Sequence, residues 1–107
     1  MSFVTNSKKI KPSWFGLTML LNTKYKKRKN EIFNKLDKFG IENRPIISGN
    51  FLKQPALRKY NLKQKSKDFP NADYVHDHGL FVGLKNEALR KNEVTKFINI
   101  FFKAFKS

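Results

Sequence analysis

The sequence contains no cysteine. Disulfides, thiol nucleophiles and cysteine-based zinc sites are excluded, and the composition suits a cytoplasmic protein. Acidic residues are scarce: eight Asp and Glu face 23 Lys and Arg, for a formal net charge of +15. Arginine is scarce too, at Arg28, Arg44, Arg58 and Arg90 alone. Base-specific readers of nucleic acid lean on bidentate arginine. The lysine excess, accompanied by abundant Asn, Ile and Phe, therefore fits either a biased codon usage or a basic patch for nucleic acid or an acidic partner. Long apolar runs are missing. The longest, Trp14–Leu21, is too short to span a bilayer and too strand-like and too far into the chain for a signal peptide, so no membrane partner is expected. Also absent are a glycine-rich phosphate loop, a nucleophile elbow and a Walker sequence. No lysine stands out as a Schiff-base former. Nothing here runs a reaction unaided.

What is present makes one domain with a modest core, given 107 residues of which 39% are hydrophobic. Residues 1–11 read as a polar, basic arm. Phe15, Leu17, Met19 and Leu21 fall at alternate positions with Gly16 and Thr18 between them, the period of a strand with one buried face. Lys24–Phe39 reads as a helix, with Tyr25, Ile32, Phe33, Leu36 and Phe39 on one stripe and Gly40 as a left-handed terminator. Ile41–Ser48 comes next as a second strand, with Pro45 at its start or on an edge and Ile46 and Ile47 as its buried part. Pro55 opens a short helix to about Tyr60, and Asn61–Asp68 reads as a loop. Asn71 is placed to cap a helix Ala72–His78 that stops at Gly79. Leu80–Leu84 is a third strand in which Gly83 permits a bulge or close approach. A last helix opens at Asn92 or Glu93, with Val94, Phe97, Ile98, Phe101 and Phe105 as its stripe and Ile100 and Phe102 widening it. The predicted fold is a small two-layer α/β sandwich with about three short, mostly antiparallel strands.

The densest chemistry lies in Ile41–Ala56. Arg44 is a planar donor suited to phosphate or sugar oxygens, with an ion pair to Glu42 or Glu31 as the plainer alternative. Ser48-Gly49-Asn50 offers a hydroxyl, a backbone free to take positive φ and an amide, with Gln54 shortly after. That set suits a hydroxylated or phosphorylated ligand, and equally an ordinary turn in which Asn50 caps the next element. His76 and His78 sit among acids, yet on a helix they diverge and lack a further strong ligand, so no metal is expected. A local pair of Asp73 with His76, three residues apart, is more plausible.

Three stretches together resemble one family. They are Trp14-Phe15-Gly16-Leu17, then Gly40–Ile46 running into Ser48-Gly49-Asn50-Phe51 with Gln54-Pro55-Ala56, and finally Phe69–Gly83. The chain is similar, from about Pro12 to the last helix, to the C-terminal domain of the DegT/DnrJ/EryC1/StrS aminotransferases, nearest in wording to their nucleotide-sugar 3-dehydratase branch. The resemblance implies that residues 12–107 form the small domain of an aspartate-aminotransferase-fold (type I) pyridoxal-phosphate enzyme. It further implies a role in nucleotide-sugar and deoxysugar synthesis for lipopolysaccharide (O-antigen), as dehydratase or aminotransferase, usually in a homodimer. Pyridoxal or pyridoxamine phosphate would be held by a large domain that this sequence does not include, on a separate or missing chain. Arg44, Ser48, Gly49, Asn50 and Gln54 would line the substrate side, with His76 and His78 near the site. No catalytic residue is assigned, and the chain alone is expected to be inactive and to bind no cofactor. The alternatives are a stand-alone basic module for nucleic acid or an acidic partner, and a relic without function.

Overall fold

The computed structural model describes residues 1–84 and 87–106. Two glycine-bounded strands form the centre of the sheet. Strand β2, Gly16–Leu20, runs antiparallel to β4, Gly79–Gly83, with Gly16 opposite Gly83 and Leu20 opposite Gly79. Met19 and Leu21 are almost fully buried, as are Leu80 and Val82 from the partner strand. Phe15 shares the parity of Met19 but stands before the strand begins and is 70% exposed. Gly83 keeps the ladder in register, so no bulge forms there.

Two further strands flank this pair, giving the antiparallel order β1-β2-β4-β3 rather than three strands. β1, Ser2–Phe3, lies inside the arm read as merely polar, and pairs with Leu20 and Met19. It is held by backbone hydrogen bonds and is exposed along its length, so it leaves no apolar signature. The expected strand Ile41–Ser48 contracts to β3, Asn43–Arg44. Pro45 supplies no N–H and ends the ladder. Ile46 is consequently only half-buried and Ile47 fully outside, which corrects the buried pair read from the sequence.

Helices α1 and α3 cover one face of the sheet. The segment read as a single helix from Lys24 to Phe39 divides into a 3-10 helix, Thr23–Arg28, and α1, Lys29–Lys38. Ile32 and Leu36 are fully buried, and Tyr25 and Phe33 pack beside them. Gly40 takes φ +76°. That turn brings the N–H of Ile41 to the Leu36 carbonyl at 2.9 Å and the N–H of Gly40 to Asp37 at 3.0 Å, the paired bonds that close a helix end.

α2 spans Pro70–His78 and starts two residues before the expected Ala72, because Pro70 itself suits a first helical position and Phe69 takes the cap instead of Asn71. It runs straight into β4 with no left-handed residue, since Gly79 has φ −71°. Gly79 is needed for room instead: a Cβ there would lie 2.5 Å from both the Ile46 side chain and the Val75 carbonyl. α3, Lys91–Lys103, buries Phe101 and leads into buried Ala104 and Phe105. Val94, Ile98 and Phe102 lie outside the core, so the wide apolar stripe divides into a packed half and an exposed half. Among the described residues no helix is long and apolar enough to cross a membrane.

Candidate functional site

The sheet face away from α1 and α3 carries Arg44. Gly16 makes space on that face, because a Cβ there would fall 1.8 Å from the Phe81 ring. Phe81 therefore lies directly over β2, and Phe15 leans against it with ring centroids 5.3 Å apart. Arg44 is the ladder partner of Phe81, so both side chains leave the same face, and its guanidinium carbon sits 4.9 Å from the Phe81 ring centroid. The ion pair considered for Arg44 does not form. Glu31 instead takes Arg28 at 3.1 Å and Lys35 at 2.7 Å. A cavity of about 660 Å³ opens beside Arg44, lined in part by Phe15, Glu42, Phe81, Lys96 and Phe97. A smaller one of about 190 Å³ lies among Arg44, Thr18, Ile46 and Ile47.

Ser48, Gly49, Asn50 and Gln54 line neither of these two cavities. The left-handed residue of the turn is Ser48, with φ +55°, rather than Gly49. Gly49 answers a different demand: a Cβ on it would meet the His76 backbone, 2.6 Å from its Cα and 2.8 Å from its N. Asn50 is buried, and all its polar groups are engaged within the chain. Its Oδ1 accepts from Leu52 N at 3.1 Å, while its Nδ2 donates to Asp73 Oδ1 at 2.9 Å and to the Ser66 carbonyl at 3.1 Å. It thus caps the short 3-10 helix Phe51–Lys53, one of the two readings open from the sequence. The Gln54 backbone carbonyl accepts from Leu57 N at 3.1 Å, ahead of the 3-10 helix Pro55–Lys59.

The histidines are held by backbone. His76 Nδ1 accepts the Asn50 N–H at 3.3 Å, and Asp73 binds Asn50 and Lys53 rather than the imidazole expected three residues on. His78 Nδ1–H donates to the Tyr74 carbonyl at 3.0 Å and its ring stacks on Tyr74 with centroids 4.0 Å apart. Its buried Nε2 has no hydrogen-bond partner among the described residues. No group of three or more His, Cys, Asp or Glu able to hold a metal occurs among those residues.

Lysines then fasten α2 to its neighbours. Lys26 meets Asp77 at 3.1 Å, and Lys53 meets Asp73 at 3.0 Å and Asp77 at 3.4 Å. The hydrogen bond from Lys53 holds the Asp73 carboxyl below its ordinary range, and that from Lys26 does the same for Asp77. Hydrogen bonds from Arg28 and Lys35 pull Glu31 down to about 2. Folded values below unfolded ones mean stability present above the ordinary carboxylate range and lost as pH falls through the lowered values. Thermal melting between pH 5 and pH 2 should therefore show a falling midpoint, with a shallower slope in Lys53→Met and in high salt. These pairs are largely solvent-exposed, so each contribution is small.

No protein-family model matches the chain. The GDP-4-keto-6-deoxy-D-mannose 3-dehydratase of Yersinia pseudotuberculosis is 39% identical over 71 residues, which cover 66% of this chain and 18% of that protein. The enzyme of the same name from Escherichia coli O55:H7 is 37% identical over 71 residues, with the same shares of each. The chain is a homologue of the nucleotide-sugar 3-dehydratases. The fold agrees. The solved E. coli GDP-4-keto-6-deoxy-D-mannose-3-dehydratase with bound hydrated PLP superposes at TM-score 0.63 and 30% identity, covering 87% of this chain and 23% of that one. The resemblance to the DegT/DnrJ/EryC1/StrS C-terminal domain is thereby borne out, and the chain spans less than a fifth of the length of these curated 3-dehydratase relatives, at 18%.

Proposed function

We propose that this chain supplies the substrate-side part of a pyridoxal-phosphate-dependent GDP-sugar 3-dehydratase, completed by the large cofactor domain of such an enzyme. The observation that carries the reading is Arg44. It is a guanidinium with no ion-pair partner among the described residues, steadied on an aromatic ring beside an open cavity, in a homologue of enzymes that act on a nucleotide sugar. An arginine held this way loses little freedom when it takes up a phosphate or sugar oxygen. Ser48 and Gln54 complete the substrate side. Gly49 and Asn50 act there by fixing the turn; His76 positions that turn against α2, and His78, stacked on Tyr74, is a near-site residue.

Among the described residues, neither Lys29 nor Lys96 fits a pyridoxal phosphate site. Lys29 is the lysine whose amine burial pushes down, and its Nζ is committed to the His76 carbonyl at 3.2 Å. Lys96, beside the Arg44 cavity, is solvent-exposed rather than enclosed in a pocket that would hold a cofactor. The cofactor carries the carbanion chemistry, so the chain alone is inactive. Borohydride trapping after incubation with pyridoxal phosphate should yield scattered labelling of surface lysines. A stoichiometric adduct at one lysine would contradict this. In a chimera where this chain replaces the matching segment of the Yersinia enzyme, Arg44→Ala should lower kcat/KM by about tenfold, the loss of a charge-assisted hydrogen bond.

A second reading has its own observation. Lys91, Thr95, Asn99 and Lys103 follow one another at helical spacing along an outward groove of α3, with Lys96 and Asn92 beside them. Such a face suits phosphate backbones. Binding of this kind should fall steeply with salt and be indifferent to Arg44→Ala.

A further inference from the structure

Residues 51–69 form a surface loop whose two ends meet. The Asn50 side chain, just before the loop, donates to the Ser66 carbonyl at 3.1 Å and so draws the turn around Phe51 up to Ser66. Between these ends the chain makes only short 3-10 turns, Phe51–Lys53, Pro55–Lys59 and Ser66–Asp68, and pairs with no strand of the sheet. A loop closed at its neck presents side chains outward rather than into a core of its own. Here those side chains are aromatic and basic. Phe51 is 63% exposed, Tyr60 65% and Phe69 46%.

The charge of this loop is more one-sided than that of the chain as a whole. It carries six Lys and Arg and one acid, Asp68, whereas the full sequence has eight acids to 23 bases. A codon bias that raises lysine everywhere does not explain the local excess. Asp68 Oδ2 is engaged in closing its own turn, accepting from Lys65 N at 2.8 Å. Lys53 is taken up by Asp73 and Asp77. Arg58, Lys59, Lys63 and Lys67 form no ion pair among the described residues. Unpaired cations interleaved with open rings fit a ligand that offers both phosphates and unstacked aromatic faces. A duplex hides those faces in its base stack, and a single strand exposes them. The groove on α3 differs, since its lysines stand among Asn92, Thr95 and Asn99 with no aromatic ring on its lining.

We propose that this loop binds single-stranded nucleic acid, with Phe51, Tyr60 and Phe69 stacking on bases and the unpaired cations between them taking the phosphates. The surface shares no residue with the two cavities beside Arg44, so the proposal does not depend on the dehydratase reading. Its signature is a preference that bulk charge cannot produce. Charge alone favours a duplex, which carries more phosphates per unit length, and only the rings favour the single strand.

Fluorescence anisotropy of the whole chain with labelled oligo-dT and oligo-U of about 15 nucleotides, and with a duplex of equal length, tests it at near-physiological salt. The better of the two strands should bind on the order of tenfold more tightly than the duplex, and which strand that is tells DNA from RNA. Phe51→Ala and Tyr60→Ala should each weaken strand binding by about tenfold without changing its salt slope, while Tyr60→Phe, which keeps the ring, should bind as the parent does. Lys63→Gln combined with Lys67→Gln should instead flatten the slope of log Kd against log salt by about 1.4. Both rings are exposed, so these variants should fold, with melting midpoints matching the parent. A duplex bound as tightly as the strands would overturn the proposal, as would no binding to either strand. So would an affinity that survives loss of both rings, or a slope that responds only to Lys91→Gln with Lys103→Gln on α3. Binding to phosphatidylglycerol vesicles and to no oligonucleotide would replace the nucleic acid with a membrane surface and overturn it as well.

Discussion

Replacing Asn50 with alanine is expected to destabilise the chain by about 2–4 kcal/mol, combining loss of a helix cap with desolvated groups left unpaired. The side chain ties three segments to one point: Leu52 within its own turn, the Ser66 carbonyl, and Asp73 on α2. Alanine leaves the Ser66 carbonyl and the Leu52 N–H without those partners in a place that is nearly closed to water. Asn50→Asp separates the terms. It retains the cap acceptor but loses the donor, and sets a second carboxylate against Asp73. Its deficit at neutral pH should at least equal that of alanine and shrink as pH falls, because a protonated acid can donate again. Parent and alanine variant should instead both lose stability over that range. Urea unfolding of the three proteins at pH 7 and pH 4 measures this, and an Asp variant whose deficit relative to the parent grows on acidification would contradict the network.

Gly49→Ala is expected to cost about 1–3 kcal/mol, the scale of overpacking against a structure that cannot move aside. The atoms a new methyl meets are the Cα and N of His76, part of the α2 backbone. Relief requires the helix or the turn to shift, breaking the Asn50 N–H to His76 bond or the lysine pairs. Gly16→Ala provides the contrast. Its nominal overlap of 1.8 Å is closer, yet the obstacle is the Phe81 side chain, which can rotate away. That variant should therefore melt nearer to the parent while losing the Arg44–Phe81 contact. Comparing melting midpoints ranks the two, and a Gly16 variant less stable than the Gly49 variant would contradict this assignment of backbone and side-chain obstacles.

Periodicity explains which elements were legible in the sequence. The stripe of Ile32 and Leu36 and the alternation around Met19 and Leu80 each repeat long enough to fix an element and its buried face. Two-residue strands carry no such repeat. β1 was hidden inside a basic arm, and Ile46-Ile47 resembled a strand interior although Pro45 had already ended the pairing. At the candidate site, Arg44 was legible as a ligand donor or as half of an ion pair. Its seat on Phe81 depends on the register that sets Arg44 opposite Phe81 and Thr18 on the other side, which no local pattern encodes. Asn50 was open to two readings because an amide can serve a ligand or a cap, and only the fold shows its groups consumed internally. The ion pair of Arg44 with Glu42 was open for a related reason. An acid beside an arginine suggests an ion pair, and it takes coordinates to see the two charges stay apart.

The most direct measurement is dehydratase turnover of GDP-4-keto-6-deoxymannose by a chimera in which this chain replaces the matching segment of the Yersinia enzyme. The account predicts turnover by the chimera, none by the isolated chain, and about a tenfold loss on Arg44→Ala. A folded, cofactor-loaded chimera without turnover, or one indifferent to Arg44→Ala, would contradict it.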